Sequence, residues 1–126
     1  MGYRSEVCIG FTDAAGRLFK TMLDHLPDDH EVRDLVKDAE QNFTQNILDK
    51  AAPLSTERLS DYEGKLYWNY VKWYQRFDDV GFIEDFLSAI PDEDYRFVRI
   101  GEDQDDSENR GEYYDAEIYI NRSISW

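Results

Sequence analysis

The chain has 126 residues, a formal net charge of −14 at pH 7 from 28 acidic and 14 basic side chains, and 41% hydrophobic residues, among them 3 Trp, 9 Tyr and 7 Phe. That length suits one domain over residues 1–126 with a core of its own, and the aromatic content sets the chain apart from disordered acidic proteins, which lack the apolar surface to offset chain entropy. The charge repels nucleic acid and anionic lipid from most of the surface, so neither direct nucleic-acid binding nor membrane association is expected, whereas docking on a basic protein surface is.

Residues 3–11 carry Val7, Ile9 and Phe11 at alternate positions, which predicts a strand with one buried face. Cys8, the one cysteine, falls within it; no intramolecular disulfide can form, and a small buried thiol is the expected state. Thr12 or Asp13 supplies an N-cap for a helix over residues 14–26, whose apolar face runs from Ala15 through Phe19 and Leu23 to Leu26, and Pro27 stops it. A second helix is predicted from Asp28, Asp29 and His30 onward to about Lys50, with Val32, Leu35, Val36, Ala39, Phe43 and Ile47 on one side and Pro53 closing the segment. His25 and His30 flank the turn between the helices at a spacing with no standard metal-ligand geometry.

Residues 54–60 read as a short edge strand, joined through the turn residues Asp61 to Gly64 to the longest β-forming run, residues 65–74. That run is expected to be the central strand. Leu66, Trp68 and Tyr70 alternate with Tyr67, Val71 and Trp73, so both of its faces are expected to be covered. Asp78 is placed as the N-cap of a third helix, with Phe77 stapled on Phe82, and Ile83, Phe86, Leu87 and Ile90 as its buried stripe before Pro91. A strand over residues 95–101, a loop to about residue 113 and a last strand over residues 114–124 complete the chain. The order β-α-α-β-β-α-β-β predicts an α+β fold: a mainly antiparallel four- to five-stranded sheet with helices packed on one face, a ferredoxin-like variant.

The densest chemical signal is acidic. Glu102, Asp103, Asp105, Asp106, Glu108, Glu112, Asp115 and Glu117 are opposed along the sequence only by Arg110. The Asp103-x-Asp105-x-Ser107 spacing opens like a calcium loop, but Glu108 stands where glycine is needed and Tyr114 where a bidentate glutamate is needed, so no metal is assigned. Duplex DNA carries a charge about every 1.7 Å of its axis, and helix-borne Asp34, Asp38, Glu40 and Asp49 together with Glu102, Asp103, Asp105, Asp106 and Glu108 offer carboxylates at comparable density. These are the predicted partner-binding residues, as a mimic of nucleic acid on a basic protein surface; a solvated loop is the plainer reading of residues 102–117. No Ser-His-Asp order or Gly-rich phosphate loop stands out, so a non-enzymatic protein without cofactor is expected. An alternative places a small ligand or single-stranded nucleic acid on the aromatic strand, where Arg4, Lys65, Lys72, Arg96, Arg99 and Arg122 interleave with Tyr67, Trp68, Tyr70, Trp73 and Phe97. Intramolecular pairing of these cations with nearby carboxylates is the competing account.

The stretches Met1-Gly2-Tyr3-Arg4-Ser5-Glu6-Val7, Tyr70-Val71-Lys72-Trp73-Tyr74, Phe97-Val98-Arg99-Ile100-Gly101-Glu102-Asp103 and Arg122-Ser123-Ile124 resemble, in order and over almost the whole chain, a set of small phage and prophage proteins. The segment from about residue 30 to 59 looks longer and more helical than in such proteins. The resemblance carries no catalytic assignment. It implies a phage-associated setting in the host cytosol, in which a small acidic protein inhibits a host nucleic-acid-handling or defence complex; a homo-oligomeric accessory protein, assembled through the aromatic sheet face, is the alternative. No secretory leader or bilayer-spanning run is read, so a cytoplasmic location is expected.

Overall fold

The alternation of Val7, Ile9 and Phe11 forms β1 (Ser5–Phe11), and in the computed structural model, which describes residues 2–48, 62–103, 105–121 and 123–126, β1 is the middle strand of a five-stranded antiparallel sheet. Chain order continues with α1 (Asp13–Asp24), α2 (Glu31–Asp38), β2 (Glu40–Asn42), β3 (Gly64–Val71), α3 (Asp78–Ala89), β4 (Tyr95–Ile100) and β5 (Ser107–Arg110), then the hairpin β6 (Tyr119–Asn121) and β7 (Ser123–Ser125). Across the sheet the order is β2-β3-β1-β4-β5. Each helical connection therefore skips a strand: α1 and α2 carry the chain past β3, and α3 carries it past β1. This is the split β-α-β arrangement of ferredoxin-like folds, extended by β5 and the hairpin.

Period-two alternation sorts the strands into two faces. Val7, Ile9, Phe11, Leu66, Trp68 and Phe97 pack under the helices, where Phe11, Phe19 and Phe86 meet with ring centroids 5.1–5.8 Å apart. Cys8 and Val98 point the other way, beneath Ala116, Ile118 and Ile124. Gly10 lets that second layer approach, because a Cβ there would stand 2.8 Å from the Ala116 Cβ. The expectation of helices on one face and cover on both is what the fold contains.

Several expected boundaries move. The second helix ends at Asp38, not near Lys50: Ala39 turns extended, the Gln41 side-chain amide donates to the Val36 carbonyl at 3.1 Å, and residues 40–42 pair with β3. Edge pairing satisfies backbone groups that a further helical turn would have used, while Phe43 and Ile47 still reach the core from irregular chain. Glu40 is thus strand-borne, not helix-borne. The predicted strand 54–60 and Asp49 lie outside the described residues. β3 stops at Val71 and sits beside the centre rather than at it; Trp73 leaves its register and packs 5.2 Å from Trp68 and 5.9 Å from Phe97.

Thr12 caps α1, its Oγ1 accepting from Ala15 N–H at 3.3 Å. The N-cap of α3 is Phe77, with Asp78 already in the first turn, where its charge complements the helix dipole. Residues 107–110, expected to be loop, pair with β4, and the expected last strand breaks into a 3-10 turn at Tyr114–Ala116, a left-handed Glu117 and the β6–β7 hairpin.

Candidate functional site

The first residues of the chain organise one end of the sheet, where β1 starts and β3 and β4 finish. Tyr3 N–H donates to the Tyr74 hydroxyl at 2.6 Å, the Tyr3 hydroxyl donates to Asp106 Oδ2 at 2.6 Å and accepts from Asp103 N–H at 3.0 Å, and Arg4 N–H donates to Glu102 Oε1 at 2.8 Å. Glu6 Oε2 accepts from the Tyr67 hydroxyl and from Ile124 N–H. Tyr74, Glu102 and Ile124, up to 118 positions away in the chain, are therefore all bonded to residues 3–6.

Arg99 is the hub of this end. Its guanidinium grips Asp106 through both Nη atoms, at 2.6 and 3.2 Å, meets Glu108 Oε1 at 2.8–2.9 Å, and donates to Ser5 Oγ at 3.1 Å. Those bonds, with the one from Tyr3, hold the Asp106 carboxyl below the usual carboxylate range. The turn between β4 and β5 is closed by Gly101 N–H on Asp106 O at 2.7 Å and Asp106 N–H on Asp103 O at 3.0 Å. Gly101 is required by close approach: a Cβ would fall 2.1 Å from Asp106 Oδ2 and 2.2 Å from the Tyr3 hydroxyl.

Next along the edge strand, Arg110 lies 4.1 Å over the Phe97 ring and bonds the buried Glu84 at 2.7 Å, where Trp73 Nε1–H also donates at 2.8 Å. β5 is thereby pinned to α3. Of the basic strand residues named from the sequence, Arg99 follows the competing account and pairs with local carboxylates, and Arg110, not among them, is paired likewise. Arg4 and Arg96 instead lie over Tyr70 and Tyr114, at 5.0 and 5.3 Å.

The predicted partner-binding acids divide accordingly. Asp106 and Glu108 are engaged within the chain, against the expectation that they face a partner. Asp34 and Asp38, one turn apart on the exposed side of α2, and Glu40 beside them on β2 make no ion pair among the described residues; nor do the exposed Glu102, Asp103 and Asp105. Asp38 lines a hollow with Arg4 and Tyr70, and Arg4 also binds Glu102 through its backbone. One member of each acidic set, Asp38 and Glu102, thus stands near Arg4 at this end of the sheet. Tyr3, Arg4 and Arg99 are not among the predicted partner-binding residues; the sequence singles out Arg4 and Arg99 as cations of the strand faces, and Tyr3 carries no signal of its own.

The aromatic strand offers no bare face along its middle. Leu66 and Trp68 are buried under the helices, and Tyr67 stacks on Trp126 at 4.9 Å, which leaves Tyr70, 67% exposed, at its end. Cys8 is fully buried and its thiol is pushed up to about 12, first by burial. His25 Nδ1 lies 2.7 Å from Thr21 O and His30 Nδ1 accepts from Val32 N–H at 3.1 Å, so both rings face backbone. Among the described residues no group of His, Cys, Asp and Glu has the geometry to hold a metal ion, and no helix is long and apolar enough to cross a membrane. No family model matches the chain, and no curated protein or solved structure is significantly similar to it.

Proposed function

We propose that the chain is a non-enzymatic, phage-associated binding protein that occupies the basic surface of a host nucleic-acid-handling or defence complex in place of nucleic acid. The observation that supports this reading is the uneven pairing of carboxylates at one end of the sheet. Arg99 and Arg110 tie down Asp106 and Glu108, while Asp34, Asp38, Asp103 and Asp105 are exposed and form no ion pair among the described residues. Charges left unneutralised on a hydrogen-bonded frame keep their field at no further ordering cost, which favours fast, salt-dependent capture of a cationic groove. The same acidity disfavours phosphate, so the proposed partner is a protein of the host cytosol.

The test is capture of host cytosolic proteins on the tagged chain at about 50 and 200 mM salt, the range over which phosphate-like contacts weaken steeply. Nucleic-acid-binding proteins are expected among those retained at low salt, released at the higher salt and displaced by duplex DNA. Substituting Asp34→Asn, Asp38→Asn, Asp103→Asn and Asp105→Asn together is expected to abolish retention. A partner held equally at both salts, and by the substituted chain, would sink the reading.

A further inference from the structure

We propose that the groove between the β4–β5 turn and the β6–β7 hairpin docks a segment of a partner protein in which basic side chains alternate with apolar ones. The inference rests on the acidic-docking reading above and names the segment that one part of that surface recognises. The groove has a volume of about 830 Å³ and is lined by Ile100 and Ile120 together with Glu102, Asp103 and Asp105. Cavities of roughly 300–1,000 Å³ accommodate a few side chains.

Two independent features point to the occupant. Ile120 is 37% exposed although its cross-strand neighbour Ile124, on the same face of the hairpin, is buried, so at the groove an aliphatic side chain is left partly uncovered. Around it, Asp103 and Asp105 make no ion pair among the described residues, in contrast to Asp106 and Glu108 on the same β-hairpin. A simple polycation would satisfy the carboxylates and leave the isoleucine wet; an apolar segment would desolvate the carboxylates without compensation. A segment carrying both kinds of side chain satisfies both. A second copy of this chain is a poor occupant, since each copy brings a net charge of −14. The turn that forms the groove wall is already fixed by Arg99, Tyr3 and the close approach at Gly101, so little ordering cost remains on binding.

The experiment titrates the full chain against two fluorescein-labelled hexapeptides, one alternating arginine and leucine, the other arginine and glycine, followed by anisotropy. The arginine–leucine peptide is expected to bind about tenfold more tightly, the increment that part-burial of leucine and isoleucine side chains provides. Ile120→Ser is expected to erase that preference and Ile120→Leu to keep it. Asp103→Asn with Asp105→Asn is expected to weaken both peptides, and Asp34→Asn with Asp38→Asn to leave the preference intact. Equal, salt-sensitive binding of the two peptides overturns the groove and leaves the acidic-docking reading standing. Binding that is absent or salt-insensitive for both overturns the groove and counts against that reading as well. A preference that survives Ile120→Ser, or a concentration-dependent dimer abolished by Ile120→Ser, also overturns the proposed occupant.

Discussion

Arg99→Met removes the guanidinium at the hub of the sheet end while keeping a side chain that fills the same aliphatic space. The wild-type side chain is only 12% exposed, but its partners Asp106 and Glu108 are 34% and 44% exposed. A hydrogen bond to a charged group contributes about 1.5–3 kcal/mol when shielded, and an exposed ion pair about 0.2–1 kcal/mol. Asp106 is gripped at two points and falls between these limits; Glu108 lies near the lower one. Their sum, with the lost Ser5 bond, is about 2 kcal/mol at pH 7. For a domain of this size that lowers the urea midpoint by about 1 M at a denaturant dependence of about 2 kcal/mol/M.

The pH dependence fixes the mechanism. Asp106 titrates below the usual carboxylate range because Arg99, and then Tyr3, bond its ionised form. Its contribution is therefore complete above the unfolded carboxylate pKa of about 3.9 and is lost as pH falls through the depressed folded value. The stability gap between wild type and Arg99→Met is expected to narrow as urea titrations move from neutral pH to about pH 2. A gap below about 0.5 kcal/mol at pH 7, the range of an ordinary surface substitution, would refute the assignment of Arg99 as the hub. So would a gap that stays constant on acidification.

Two further outcomes follow from local geometry. Gly101→Ala forces a methyl against Asp106 and the Tyr3 hydroxyl and is expected to cost about 1–3 kcal/mol, with amide exchange accelerated in residues 101–106; unchanged exchange there would contradict the close approach. His30→Ala leaves the Val32 N–H without its cap and should lower stability by about 1 kcal/mol in thermal melts, whereas His30→Asn should restore most of it; equal losses in the two would show that the ring's contact with Phe82, not the cap, is what matters.

The alternation of Val7, Ile9 and Phe11, the helical spacing from Ala15 to Leu23, the stripe through Ile83, Phe86 and Leu87, and the prolines after α1 and α3 all act over a few residues. They were legible in the sequence and, with the order of elements, led to an α+β fold with helices on one face. The exposed positions of Asp34, Asp38, Glu102, Asp103 and Asp105 agree with a sequence-level reading of acidic surface. Other features had no local signal. Residues 40–42 leave the helical pattern because β3 offers backbone partners, and residues 107–110 become a strand because β4 has a free edge. Asp106 and Glu108 were counted as free charge because the nearest cation in sequence was Arg110, whereas the groups that neutralise and orient Asp106 are Arg99 across the β-hairpin and Tyr3, 103 positions away. Periodicity and composition establish which residues seek the core and which seek water. Which carboxylates keep their charge for a partner depends on pairings made across the sheet, and only the closed tertiary structure brings those groups within reach of one another.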